Sequence, residues 1–296
     1  MRYAFLVGLL ALGTFGVACT RSSTVAVAFA PASPDEAELR RILDQDRAEA
    51  ARYAPHPSTD TVIEAFLRFN RLTGTAGSDP KEIDQAFAGL RRAIVFLIQD
   101  GDGMDRLRRL QLVLLERFEK ALEDVLALPD GEARAALFQK TAPPAAAREA
   151  IERFRELGGD FIDAARLNGL IRTDKDRLAL APDGRFFVRL AFKVRFANLA
   201  PEAIGPLDWL LGESERLWYF RWVLTRSQTA DLNRRLNAIE YLATHDTSFN
   251  KERALGILLY QEGQYPAAVR AFEKALEKAP DDAELARFRD AARSRI

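Results

Sequence analysis

The chain has 296 residues, with 43 basic and 43 acidic side chains. That balance excludes a surface built by excess positive charge for nucleic acid or an anionic membrane. Hydrophobic residues make up 48% of the chain, enough for a sizeable core in one or two domains, and with Cys19 as the single cysteine no disulfide can form within it.

Residues 1–18, MRYAFLVGLLALGTFGVA, place Arg2 before an apolar run that small residues close at Gly16-Val17-Ala18, directly ahead of Cys19. The run is too short and too glycine-rich for a transmembrane helix, which needs about 20 apolar residues. It resembles a bacterial lipoprotein signal peptide with its lipobox, with Gly16 where that family usually has Leu. The resemblance implies a diacylglyceryl group on the Cys19 thiol, cleavage before Cys19 and acylation of the new amine. Two or more acyl chains anchor stably, at ~0.8 kcal/mol per buried methylene. A plain secretory signal and an uncleaved anchor are the alternatives; the first would leave a bare thiol at the mature N-terminus. Thr20, where many inner-membrane lipoproteins carry Asp, implies the outer membrane, facing the periplasm. Residues 19–33 then read as a lipidated flexible tether spanning roughly 20 Å; the minority reading makes Ser23 to Ala30 a strand.

Ser33-Pro34-Asp35-Glu36 reads as a helix start, with Ser33 as cap, Pro34 in the first turn and Glu36 closing a capping box. That helix carries Leu39, Ile42 and Leu43 and ends before His56-Pro57. The next helix, from Asp60, is lined by Val62, Phe66 and Phe69, and Asp79-Pro80 opens another with Ile83, Phe87, Leu90, Ile94 and Leu97 at helical spacing. After the turn 99–103 comes the longest predicted helix, about Met104 to Ala127, with a stripe at Leu107, Leu110, Leu114, Phe118, Ala121 and Val125 and an expected Glu116–Lys120 pair. Pro129 and Pro143-Pro144 punctuate two shorter helical segments.

In RFFVRLAFKVRF, residues 185–196, apolar and mostly basic positions alternate at strand period, and Pro182-Asp183-Gly184 would turn it into a hairpin with Leu178 and Leu180. Asp183 could equally cap a helix to Leu199, and the helical surroundings favour the helix; a single β-hairpin near 176–197 stays open. Glu215 to Leu224 is apolar nearly all round, as for a helix packed on both sides, and Leu232, Leu236, Ile239 and Leu242 line the one after it.

Residues 249–282 carry Leu255-Gly256, Gly263, Tyr265, Ala268, Phe272, Ala275-Leu276 and Pro280. At these spacings the segment resembles a tetratricopeptide (TPR) repeat, with Glu252 and Leu259 where that family often has Trp and Tyr. Gly256 and Ala268 allow two antiparallel helices to approach, Gly263 ends the first with a left-handed turn, and Pro280 ends the second. Residues 283–296 read as a C-terminal capping helix. One such repeat cannot bury its own apolar face, so residues 34–248 are expected to be a helical domain of degenerate or non-consensus helix pairs. Arg148 to Ile171 is a possible degenerate repeat, whereas Phe118 to Glu123 only echoes Phe272 to Glu277 in composition. The expected fold is all-α, a right-handed antiparallel helix-pair solenoid.

The chain has no Walker-type loop, no GxSxG, no HExxH and no paired CxxC. His56 reads as a solvated or capping residue and His245 as a helix-end residue. Asp100-Gly101-Asp102-Gly103 starts like a calcium loop, but Met104 and Gln111 replace ligands, so it reads as a turn; no metal and no cofactor is expected. Arg106, Arg108 and Arg109 read as a solvated face, and Trp209, Trp218 and Trp222 as core. An enzyme is not expected. The resemblances imply a lipid-anchored adaptor or scaffold of the bacterial cell envelope, held to the membrane by its lipid and binding a protein or peptide partner. The groove positions of a TPR carry over to Asn250, Arg253, Ile257 and Tyr260. The alternative is an accessory subunit of an envelope transport system that encloses a small ligand among its Trp and Phe side chains.

Overall fold

The computed structural model describes residues 34–138, 145–161, 164–174, 177–200, 210–225 and 232–296. Cys19, the expected tether, Pro143-Pro144 and Trp209 lie outside the described residues. The chain is mostly helical. The described α-helices are α1 (Glu36–Ala50), α2 (Pro57–Gly74), α3 (Pro80–Gln99), α4 (Gly103–Leu126), α5 (Asp130–Phe138), α6 (Arg148–Glu156), α7 (Ala164–Leu170), α8 (Pro182–Ala197), α9 (Glu213–Thr225), α10 (Leu232–His245), α11 (Lys251–Gln261), α12 (Tyr265–Lys278) and α13 (Ala283–Arg293). Strands β1 (Ile171–Asp174) and β2 (Arg177–Leu180) form one antiparallel hairpin. The described chain divides into two compact units, one up to Tyr219 and one from Phe220 onward. Helix α10, which the sequence reading groups with residues 34–248, clusters with the C-terminal helices.

Local chemistry sets the helix starts of the first unit. Asp35 caps α1: its carboxylate accepts from the Glu38 N–H, while Ser33, the expected cap, lies outside the described residues. Asp is as good a cap as Ser and stands two residues closer to the apolar stripe. His56 caps α2, its Nδ1 accepting from the Ser58 N–H at 3.3 Å, while the Thr59 hydroxyl accepts from the His56 N–H at 3.0 Å. Asp79 caps α3 ahead of Pro80, whose missing N–H costs nothing in a first turn.

Helix α4 is the axis of this unit. It packs against α1, α2, α3, α5, α6, α8 and β2. Leu107, Leu110, Leu114, Phe118, Ala121 and Val125 are all buried, as their spacing predicts. Lys120 pairs with Asp124 at 2.8 Å rather than with the expected Glu116. Both choices are i,i+4 partners, and the pair with the acid C-terminal to the lysine is the one formed. The arginine strip is also engaged: Arg106 pairs with Asp100 at 3.0 Å and Arg108 with Glu49 of α1 at 2.6 Å. Around α4 the phenylalanines fill one another's space. Phe118 meets Phe192 and Phe154 with ring centroids 5.0 and 5.3 Å apart, and Phe66 meets Phe196 at 5.7 Å.

The alternating segment 185–196 is helical, and the hairpin lies upstream of it. Leu178 and Leu180 do lie on a strand, but β2 pairs back onto β1, in the register Ile171 with Leu180 and Thr173 with Leu178. Pro182 sits in the first turn of α8, and Asp183 lies inside that turn instead of capping it. A strand would turn Arg185, Arg189 and Lys193 out together with the other basic side chains. On a helix these three fall at i, i+4 and i+8, one stripe. The carboxylates that meet this stripe supply what the strand reading lacks.

In the second unit, α10, α11, α12 and α13 pack in sequence order. Its core holds Ile257, Ala268, Val269, Phe272, Ala275, Leu285 and Ala292. Leu232 is exposed, contrary to its expected place on the α10 face; the polar Arg235 is buried on that face instead.

Candidate functional site

Among the described residues, two places bear most directly on function: a buried ionic cluster and the closely packed α11–α12 pair. The first is an ionic cluster inside the first unit. Lys193, on α8, is 1% exposed. Its ammonium has three N–H donors. It donates to Asp46 Oδ2 of α1 and to Glu215 Oε1 and Oε2 of α9, each at 2.8 Å. One turn earlier on α8, the Arg189 guanidinium donates to Asp46 and to Glu119 of α4. At the next turn toward the helix start, Arg185 pairs with Glu123 at 3.0 Å. Gln111 donates its Nε2 to the Lys193 carbonyl at 3.1 Å. Glu215 also accepts from the Gly212 N–H at 3.0 Å, so it closes the first turn of α9 as well as facing Lys193.

The cluster counts three carboxylates, Asp46, Glu119 and Glu215, against two cations, Arg189 and Lys193. Burial pushes the Glu119 carboxyl above its ordinary value, outweighing the pull of Arg189 and Arg185. Glu119 Oε1, Gln111 Oε1 and Arg189 Nε are buried with no hydrogen-bond partner. The geometry is that of a sealed tie between helices. The sequence held a signal for it: Asp46 continues the Leu39–Ile42 apolar stripe of α1, and Arg189 and Lys193 sit four apart in an apolar run.

The second place is the α11–α12 pair. An ideal Cβ built on Gly256 would lie 2.6 Å from the Phe272 ring, so only glycine allows this approach. Gly263 has φ +72°, the left-handed turn that ends α11 and lets α12 fold back. Ala268, Phe272 and Ala275 are fully buried, Leu255 and Tyr265 are half-buried, and Pro280 is exposed just past the end of α12. Phe288 of α13 stacks on Phe272 with centroids 5.8 Å apart.

The four expected groove residues have structural employment here. Asn250 caps α11, accepting from the Arg253 N–H at 2.9 Å. Arg253 reaches the start of α13, donating to Asp282 at 3.2 Å and to Glu284. Ile257 is 2% exposed in the core of this unit. Tyr260 is half-buried and meets Tyr265 edge to face at 5.5 Å.

Elsewhere, His245 donates its Nδ1–H to the Tyr241 carbonyl, 2.8 Å away, and stacks on the Tyr241 ring, the helix-end role expected of it. Asp246 receives the Ser248 hydroxyl at 2.6 Å and Arg221 Nε at 3.2 Å; burial pushes its carboxyl up, but these bonds hold it below the ordinary value. Trp218 is buried and packs edge-on to Phe186 at 5.8 Å. Among the described residues no group of His, Cys, Asp or Glu could hold a metal ion, and no helix is long and apolar enough to cross a membrane.

No protein-family model, no curated protein and no solved structure matches the chain.

Proposed function

We propose that the protein is a lipid-anchored helical adaptor of the bacterial cell envelope, with a TPR-like C-terminal segment that binds a protein or peptide partner. The observation that carries the reading is the contact between Gly256 and the Phe272 ring, with the left-handed Gly263 between their helices. The close approach, the left-handed turn and the packing of α10 to α13 in sequence order support the TPR-like reading. Right-handed solenoid geometry is proposed for this part of the chain alone, because α4 in the first unit packs against helices from α1 to α8.

The lipobox-like Gly16-Val17-Ala18-Cys19 supplies the location: Cys19 acylated, residues 19–33 as tether, and the helices in the periplasm at the outer membrane. Of the four groove positions, Asn250, Arg253 and Ile257 serve the fold, which leaves Tyr260, beside Tyr265, as the position from which a partner segment is contacted. A half-buried aromatic pair offers contact area at low cost in side-chain entropy.

Crosslinking and pulldown from the membrane fraction test this, comparing the intact chain, the chain truncated after Ser248 and the Tyr260→Ala variant. The reading expects one partner to be recovered by the intact chain, lost on truncation and weakened at least fivefold by Tyr260→Ala. Recovery of the same partners by all three refutes it.

A further inference from the structure

We propose that Lys193 couples helix α1 to the first turns of α9, residues 213–219, so that the two pack together and loosen together. These helices are far apart in the chain and each brings one carboxylate to the same ammonium: Asp46 from α1 and Glu215 from α9, at 2.8 Å. All three N–H donors of Lys193 are spent on these contacts. The lysine is 1% exposed and Glu215 likewise, while Asp46 is 7% exposed, so with α1 in place these contacts are withdrawn from water. If α1 withdraws Asp46, two of the three Lys193 N–H donors keep Glu215 and the third is left without an acceptor, which is costly in a site this withdrawn from water. The cost falls on the closed position of α9.

Direct contacts run beside the lysine route: Arg41 of α1 donates to the Ser214 hydroxyl, and Trp218 Nε1 stands 3.4 Å from Glu38 Oε1. The first is exposed, where exchange with water makes it weak, and the second is part-buried but long for a hydrogen bond. The buried tie therefore dominates. Helix α9 starts at this tie, because Glu215 also holds the Gly212 N–H of its first turn. Losing the tie frays the helix from its beginning and exposes Trp218 and Tyr219, both now buried. The result is a conformational device: whatever displaces α1 uncovers an apolar face on α9. It operates whether or not Cys19 is acylated.

Hydrogen exchange followed by mass spectrometry on the full chain tests the coupling, since amide exchange reports local opening. Asp46→Asn is expected to speed exchange in peptides from residues 213–219 about tenfold, within the usual range for coupled sites. Exchange in α12, in the other unit, is expected to stay within about twofold. In a Lys193→Met background, Asp46→Asn is expected to have no further effect on residues 213–219. Should Asp46→Asn fail to fold, Glu215→Gln reads the same coupling in reverse, and peptides from α1 are expected to speed up by a like factor, because coupling is reciprocal. Unchanged exchange in the distant helix, an equal rise in α12, or an undiminished effect in the Lys193→Met background each overturns the proposal.

Discussion

Lys193 Nζ lies 2.8 Å from both carboxylate oxygens of Glu215, with both side chains almost wholly withdrawn from water. A buried pair of this kind is no guarantee of net stability, since desolvating two charges can consume the attraction between them. Breaking it is another matter, because the partner left behind stays buried and charged. Glu215→Ala is expected to cost about 3–5 kcal/mol in urea unfolding, several times the cost of removing an exposed partner such as Glu36 from its pair with Arg40. Joint replacement by Lys193→Met and Glu215→Leu is expected to recover most of that loss.

The two glycines Gly89 and Gly256 make a matched test. Both lie inside helices, and nothing stands within 4 Å of a Cβ at Gly89. Gly89→Ala is expected to stabilise by up to about 1 kcal/mol through helix propensity. Gly256→Ala drives its methyl into the Phe272 ring and is expected to destabilise by about 1–3 kcal/mol, as overpacking does. Thermal unfolding that shows the same sign for both contradicts the close-approach account.

Gly263 has a positive φ with open space around it. Replacement by Ala therefore meets backbone strain alone and is expected to cost about 1 kcal/mol, while Asn, which tolerates the left-handed region, recovers part of it.

Glu119 predicts a pH dependence with a definite sign. Its folded carboxyl titrates above the ordinary 4.5 because of burial. The folded state then holds a proton that the unfolded state has released, so this group lowers stability as pH rises through the folded value. Glu119→Gln keeps an acceptor for Arg189 and removes the titration. Urea midpoints are expected to favour the variant increasingly as pH climbs from 4.5 toward neutrality, and a gap that narrows over that window is the contrary result.

Much of this architecture was readable from local patterns. The α4 stripe, the cap at Asp79, and the Gly256–Gly263–Phe272 geometry follow from spacing and side-chain size, whereas α2 starts at Pro57 with His56 as its cap, three residues before the expected Asp60. The α8 segment is ambiguous because its period-2 alternation is a real strand signal; the carboxylates of Asp46, Glu119, Glu123 and Glu215, outside the segment, favour the helical stripe of Arg185, Arg189 and Lys193. The ionic cluster itself was hidden for the same reason. Charged residues default to the surface in any local reading, and burial becomes visible only when three other helices bring the counter-charges. The groove positions illustrate the reverse: the motif marks where a ligand would lie, but Arg253 finds its acids on the following helix.

The proposed function requires that Cys19 carry lipid and hold the chain at a membrane. Metabolic labelling with palmitate, followed by intact-mass analysis of the purified chain, tests it most directly. The account predicts label on a chain that begins at Cys19, with none on a Cys19→Ser variant. An unlabelled chain whose mass places Met1 or a bare Cys19 at its start would contradict it.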